Sequence, residues 1–311
     1  MINKVLVLMS AYNGEKHIET QISSIFKQLG VNVTLVVRDD GSKDNTLNIL
    51  ESLKDKYPKM RVVHGCNIGF IKSFGELIRI AHDDYPDFDY YSFVDQDDIW
   101  YENKEQVSIS FLEKTDLSLP QLFCSNSRLI DGNGKPIGRK FVRRPPILKK
   151  GAFLINPLAQ GCSMTFNKAA VDIYNQHIPQ TVYHDRWMIM ICSMFGQIHY
   201  LDEALFDYRI HANNVVGRKP AISKFVKMKA SIKYWFENRE VNFQNDCKLF
   251  LESFSDTSIP NNGVKILNLA YLSDKSLLAK LRIILSSEFA PSILSLKYYI
   301  SFVAHLLSNK F

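Results

Sequence analysis

"YYSFVDQDDIW", residues 90–100, carries a β-prone run straight into three carboxylates, Asp95, Asp97 and Asp98, and closes on Ile99 and Trp100. Carboxylates set so close repel, and each makes its neighbour harder to ionise. Two readings account for them. A hard divalent cation reverses the local charge logic and bridges carboxylates to phosphate oxygens. A solvated acidic turn whose Asp caps the next helix needs no ion.

The residues upstream repeat the same arrangement. "KVLVLMSA" (4–11), "VTLVVR" (33–38), "RVVH" (61–64) and "DYYSFV" (89–94) read as buried strands. Between them apolar residues recur at helical spacing: Ile18, Ile22, Ile25 and Leu29; Leu47, Leu50 and Leu53; Phe74, Leu77, Ile78 and Ala81. Strands alternating with helices predict an α/β fold, a mostly parallel sheet covered on both faces. In such sheets ligands bind beyond the carboxyl ends of the strands. The polar clusters "SAYN" (10–13), "RDDGS" (38–42), "GCNIG" (65–69) and "DQDD" (95–98) all fall at those ends.

Past Trp100 the pattern changes. "LFCSNSRLIDGNGKPIGRKF" (122–141) predicts a hairpin turning at Gly132 and Gly134. "HDRWMIMICSMFG" (184–196) predicts a helix that stops at Gly196, and "QIHYLDEALFDYRIH" (197–211) two short strands. From Lys219 onward only helices are expected.

Composition narrows the class. The 311 residues, 46% hydrophobic and 23% charged, suffice for a sizeable core and exclude wholesale disorder. Cysteines 66, 124, 162, 192 and 247 are odd in number and form no CxxC pair, which argues against a disulfide scaffold or zinc cluster and for a reducing cytoplasm. "MINKVLVLMSAYNG" reads as a first strand rather than a signal peptide. No apolar run reaches about 18 residues, so no transmembrane helix is expected. The formal charge is +6, with seven basic residues between Arg218 and Glu240 against Glu237 and Glu240. Such an excess suits nucleic acid, an anionic bilayer or plain solvent.

Single residues at the strand ends have chemical readings. Asp39 and Asp40 can accept from a base N–H or a ribose hydroxyl, with Gly41 permitting a tight turn. Tyr12 can stack on a base, and Asn67 and Lys72 can help hold a nucleotide. Asp44 reads as a helix cap and Cys162 as a buried structural thiol.

In order and spacing, "VLVLMSAYNGEKHIETQISSIFKQ", "VVRDDGSKDNT", "NIGF" and "FVDQDDIW" resemble the nucleotide-sugar half of family 2 glycosyltransferases. "GCSMTFNKAA", "HDRWMIMI" and "YRIHANNVVG" resemble its bacterial rhamnosyltransferase-like branch, which builds O-antigen, capsule or other cell-surface polysaccharide. The likeness spans roughly residues 3–217. It implies a GT-A fold, a Rossmann-like nucleotide-sugar-binding sheet with flanking helices, with a helical C-terminal extension. It also implies a hexosyltransferase that inverts the donor sugar and depends on Mg2+ or Mn2+. Ser10, Tyr12 and Asp40 would then embrace a uracil or thymine base. Ala11, Asn13, Asp39, Asn67, Lys72, Asp95, Gln96 and Asp97 would line the rest of the nucleotide-sugar site. Asp97 and Asp98 would stand nearest the metal, with His211 facing the metal or diphosphate.

Asp185 falls where inverting members carry the base that deprotonates the acceptor hydroxyl. Arg186 stands where the branch often has an aromatic residue. The donor implied is a dTDP- or UDP-sugar, and the acceptor a glycan on a lipid diphosphate carrier.

The expected division is a catalytic domain over 1–217, with the nucleotide-sugar half at 1–100 and the acceptor half at 101–217, and a helical region over 218–311. Within that region "ISKFVKMKASIKYWF" (222–236) sets Lys224, Lys227, Lys229 and Lys233 among apolar residues, as in a helix lying on a membrane surface. The expected location is therefore the cytoplasm, with peripheral contact at the inner face of its membrane. The alternative function is a catalytically inactive nucleotide-sugar-binding scaffold, which a lost Asp would have favoured. A nucleic-acid-binding role lacks any motif, and an acidic cleft repels phosphate unless metal intervenes.

Overall fold

The computed structural model describes residues 2–142, 145–146, 148–155, 160–211, 243–257 and 259–289, with positions 303, 306 and 307. Strands β1 (Asn3–Ala11), β2 (Val31–Asp39), β3 (Met60–His64) and β4 (Tyr90–Val94) alternate with helices α1 (Ile18–Ile25), α2 (Thr46–Lys56) and α3 (Phe70–Asp84). After β5 (Ile99–Trp100) come α4 (Lys104–Leu112), the hairpin β6 (Gln121–Ile130) and β7 (Pro136–Lys140), and α5 (Lys150–Ile155). Strand β8 (Met164–Asn167), α6 (Lys168–Gln176), α7 (His184–Phe195) and β9 (Gln197–Arg209) follow.

Among the described residues the strands form one sheet in the order β3-β2-β1-β4-β8-β6-β9-β5, with β7 paired to β6. Strands β3, β2, β1 and β4 run parallel, as predicted, and β6 and β9 are also parallel. Strand β8 runs antiparallel to β4 and β6, and β5 antiparallel to β9. Val5 to Met9 are wholly inaccessible. Burial on both faces explains why β1 reads as a continuous apolar run rather than an alternation.

Beneath the carboxyl end of β4 lies a polar brace that hydrophobic patterning does not reveal. Lys104 and Glu105, both completely buried, pair at 2.7 Å, and Glu105 accepts from Ser92 of β4 (3.0 Å) and Thr165 of β8 (3.1 Å). The same Lys104 ammonium stands 3.9 Å from the centroid of Trp100. Together these contacts fix both ends of the acidic stretch against α4 and β8.

Two local expectations differ from the fold. Helix α1 ends at Ile25, and Leu29 is exposed because the chain turns through Gly30 (φ 72°). Residues 197–209 form one strand instead of two. Its register against β6 slips between Ser125 and Asn126 and again before Arg128. These irregularities absorb the polar pair Asp202 and Glu203 without ending the strand.

The chain divides into two compact units, Met1–Pro145 with Leu158–Arg209, and Pro146–Pro157 with Ile210–Phe311. In the second, α5 is joined by helices Phe243–Ser253, Asn261–Tyr271 and Leu277–Leu285. Residues 212–242, which include the basic stretch with Lys224, Lys227, Lys229 and Lys233, lie outside the described residues. Among the described residues no helix is long and apolar enough to cross a membrane.

Candidate functional site

The carboxyl ends of β1, β2 and β4 are tied together by short polar bonds. Where β1 ends, the Ala11 carbonyl accepts the Asp40 N–H at 2.7 Å. Tyr12 and Gln96 exchange two bonds: the Tyr12 N–H donates to Gln96 Oε1 (2.9 Å), and Gln96 Nε2 donates to the Tyr12 carbonyl (3.0 Å). The acidic motif is thereby clamped to the exit of β1. Asn13 takes a left-handed conformation (φ 50°) and accepts the Lys43 N–H at 2.8 Å. Its own N–H donates to Ser42 Oγ (3.0 Å). The Asp39 carboxylate accepts the N–H groups of Gly41 (3.1 Å) and Ser42 (3.0 Å), which shapes the turn after β2. The Tyr12 ring stays at the rim, 40% exposed.

Asp40 is almost completely buried and is already engaged. Arg38 donates to it, and it accepts the N–H groups of Ile68 (3.0 Å) and Gly69 (2.9 Å), which lead into α3. Arg38 also donates to Ser73 Oγ (3.1 Å) and the Cys66 carbonyl (3.2 Å), and Ser10 donates to Ser73 at 2.6 Å. The carboxylate that the resemblance assigns to a base thus forms the hub of a buried network. That network joins β1, β2 and α3.

The acidic motif itself is closely packed. Asp98 is 1% exposed; its Oδ1 accepts the Arg209 N–H at 3.1 Å, and its Oδ2 has no hydrogen-bond partner among the described residues. Arg209 Nε donates to the Asp97 carbonyl at 2.8 Å. The thiol of Cys162 joins this group, and one ligand atom each from Asp95, Asp98 and Cys162 lie within 4.8 Å of one another. Burial first, and then the fields of Asp97 and Asp185, push the Asp95 carboxyl up to about 7. Burial, followed by Asp97 and Asp95, holds Asp98 well above the usual carboxylate range. Burial and the same carboxylates raise the Cys162 thiol, which stays protonated. Tyr208 faces the group as well: burial raises its phenol most, then Cys162 and the three carboxylates.

The donor set fits a hard divalent cation. It offers several carboxylate oxygens in a desolvated place, one of them buried without a partner, and the groups bind protons abnormally tightly for want of positive charge.

On the other side stands the first turn of α7. Asp185 is partly buried there and accepts the Arg186 N–H at 2.7 Å; burial raises its carboxyl, opposed by Arg186. Its field reaches Asp95, so residues about 90 positions apart in sequence share one electrostatic site. Gly161 permits this, because a Cβ there would sit 2.7 Å from His184 Nε2 and 3.4 Å from the Asp185 Cβ. The His184 ring is stacked on Phe74 with centroids 3.7 Å apart, and burial lowers its pKa to about 3.

The fold thus brings Ser10, Ala11, Tyr12, Asn13, Asp39, Asp40, Asp95, Gln96, Asp97, Asp98 and Asp185 to one edge. Asn67 and Lys72 lie exposed in the loop before α3 and in its first turn. His211 belongs to the second unit. Cys162, His184, Tyr208 and the Arg38–Ser73 link were missed as site residues. Of these only Arg38 carried a signal, a cation directly before an acidic pair.

Residues 6–172 match the family model for glycosyl transferase family 2. The dTDP-rhamnosyl transferase RfbG of Shigella flexneri is 28% identical over 267 residues, covering 82% of this chain and 87% of that protein. Among solved structures, residues 1–349 of S. aureus TarS in complex with UDP-GlcNAc superpose with a TM-score of 0.55 at 17% identity, over 98% of this chain and 91% of that one. The mannosyltransferase PcManGT of Pyrobaculum calidifontis, in complex with GDP-Man and Mn2+, gives 0.52 at 14% identity, over 99% and 88%. These likenesses establish the GT-A fold expected from the sequence.

Proposed function

The chain belongs to glycosyl transferase family 2 and is a glycosyltransferase; on that premise we propose that it moves a sugar from a dTDP- or UDP-sugar to a glycan hydroxyl, with inversion, in cell-surface polysaccharide synthesis. The similarity to a dTDP-rhamnosyl transferase supports rhamnose as the sugar moved; the acceptor proposed is a glycan on a lipid diphosphate carrier. The catalytic part is assigned to residues 1–217, with its nucleotide-sugar half at 1–100 and its acceptor half at 101–217. The helical extension is assigned to residues 218–311, of which 243–257, 259–289 and positions 303, 306 and 307 are described.

Ser10, Tyr12 and the Asp40 hub form the base end of the donor site, and Asp39 and Asp95 its ribose side. Ala11, Asn13, Gln96, Asn67 and Lys72 complete the rim. Asp97 and Asp98, with Asp95 beside them, would hold Mg2+ or Mn2+. When bound, the ion neutralises the departing diphosphate. Asp185 takes the proton from the acceptor hydroxyl as that oxygen attacks the anomeric carbon from the face opposite the leaving group.

The observation that carries this reading is that Asp185 stands within the field of Asp95 while belonging to a different wall of the site. Raised by burial and outside the cation's own cluster, Asp185 holds a proton more tightly than an ordinary carboxylate, which favours the base role. The test is Asp185→Asn, which keeps the shape and removes the base. Donor should bind as in wild type, while transfer falls by roughly two orders of magnitude or more. Near-normal transfer by this variant would exclude Asp185. NMR of the product decides inversion.

A further inference from the structure

Residues 92–105 form a loop pinned to itself by a buried pair of charges. Lys104 and Glu105 open α4 and are wholly inaccessible, although neither is apolar. Neighbours on a helix point about 100° apart, so the two side chains reach different parts of the loop. Glu105 lies against its start: both carboxylate oxygens stand 3.0 Å from Ser92 Oγ on β4, and Oε2 accepts from Thr165 Oγ1 of β8 at 3.1 Å. Lys104 meets its far side, with its ammonium 2.7 Å from Glu105 Oε1 and 3.9 Å from the Trp100 ring centroid. The main chain closes the same circuit. The Trp100 N–H donates to Ser24 Oγ at 3.0 Å, and the Glu105 N–H to Gln28 Oε1 at 2.9 Å. Gln28 Nε2 (2.8 Å) and the Lys104 N–H (3.0 Å) both donate to the Tyr101 carbonyl. Asp95, Asp97 and Asp98 all lie between the two pinned points, Ser92 and Trp100.

Stability alone does not account for the pair. Taking two charges out of water costs about as much as their attraction gains, and apolar residues of like volume commonly serve as well or better. What apolar residues lack is direction: they cannot tie one strand end and one indole to the same helix turn. The stretch between the pins needs such a hold, because three carboxylates that repel one another tend to spread the loop that carries them. We propose that Lys104 and Glu105 are positioning residues, which keep Asp95, Asp97 and Asp98 at the spacing a divalent cation requires. Buried as they are, they act through Ser92, Thr165 and Trp100 and not on the substrate. The proposal rests on the cation reading of the acidic stretch, and its test uses no turnover.

The test is Mn2+ binding by the full chain, read from the electron paramagnetic resonance of the free ion, beside thermal melting. Lys104→Met/Glu105→Leu replaces the pair by apolar side chains and leaves Ser92 and Thr165 bonded to each other at 3.0 Å. This variant should melt close to wild type. Its Mn2+ affinity should fall about tenfold or more, as when a partner that orients metal ligands is lost. Ser92→Ala/Thr165→Val cuts the link from the strand side with the ion pair in place, and should weaken Mn2+ binding likewise; it decides the question should the first variant not fold. Ile109→Val, a buried change on the same helix outside the brace, should lower the melting point and leave Mn2+ affinity unchanged. Equal weakening by Ile109→Val overturns the proposal, because general loosening of α4 then suffices. Wild-type Mn2+ affinity in both brace variants overturns the positioning role alone. Absence of Mn2+ binding by the wild type overturns it together with the cation reading.

Discussion

Replacing Gly161 with alanine tests whether the approach of the Gly161–Ser163 turn to α7 holds Asp185 in place. The new Cβ would meet His184 Nε2 at 2.7 Å. An ordinary contact begins near 3.4 Å, so one side must move by about 0.7 Å. His184 cannot easily yield. Its ring lies flat on Phe74, with Phe93 edge-on at 4.9 Å and Phe70 at 6.4 Å. The displacement therefore passes to the first turn of α7, where Asp185 is the next residue. Crowding of this kind costs about 1–3 kcal/mol of stability. A misplacement approaching 1 Å costs transfer about 10- to 100-fold.

The assay is steady-state transfer beside thermal melting, with Gly132→Ala as control, since a Cβ there meets nothing within 4 Å. Gly161→Ala should lower kcat and leave donor affinity close to wild type, because the donor end is built by β1, β2 and β4. Unchanged kcat and melting would refute the idea that this contact positions Asp185. A loss confined to donor affinity would refute the assignment of α7 to the acceptor side.

Two further outcomes separate neighbouring residues. Asp97→Ala should weaken Mn2+-dependent binding of a nucleoside diphosphate at least about tenfold by calorimetry without lowering the melting point. Asp98→Ala should lower both, because its Oδ1 holds the Arg209 N–H; metal-dependent affinity unchanged from wild type in both variants would remove the acidic motif from metal binding. His184 gives a pH test. Its folded value is lowered to about 3 from 6.5. Above pH 6.5 neither state binds the proton; below it only the unfolded chain does, so stability falls with falling pH at about 1.4 kcal/mol per unit. Between pH 7 and pH 5, wild type should lose about 2 kcal/mol more than His184→Phe in urea unfolding, and parallel losses would show that His184 is not buried neutral.

Much of the candidate site's edge was legible because it is built from local pattern. Four apolar runs, each closed by a polar cluster, define parallel strands and the edge where their ends meet, and Asp95, Asp97 and Asp98 are visible as an electrostatic problem. Residues recruited across the fold were not legible in this way. Cys162 reads as a small hydrophobe, and nothing within "GCSMTF" places its thiol beside two carboxylates more than sixty residues earlier. The Lys104–Glu105 pair looks like ordinary surface charge until α4 packs it beneath β4. Asp40 shows a different limit. Its position at a strand end is visible in sequence, but its partners come from residues 38, 68 and 69, and only the closed turn shows its carboxylate engaged. The continuous β9 was misread because Asp202 and Glu203 look like a break, whereas register slips let a strand carry them outward.

The crowding of negative charge in residues 95–98 has a physical resolution in this arrangement. Desolvation raises Asp95 and Asp98 together, the field of Asp97 raises both further, and Asp95 adds to the rise of Asp98, so the group favours any positive partner, proton or cation. Cys162 completes the wall with a neutral thiol, where another acid would add to the repulsion. Asp185 differs in kind. Burial alone raises it, Arg186 opposes the rise, and it belongs to a separate helix. Two sets of carboxylates in one cleft thus receive different environments, one suited to share a cation and the other to exchange a proton with a substrate hydroxyl. Moving Asp185 into the cluster of Asp95, Asp97 and Asp98 would add a fourth repelling charge and, on the proposed mechanism, take the base away from the acceptor. The separation between the end of β4 and the first turn of α7 is what lets like groups serve unlike roles.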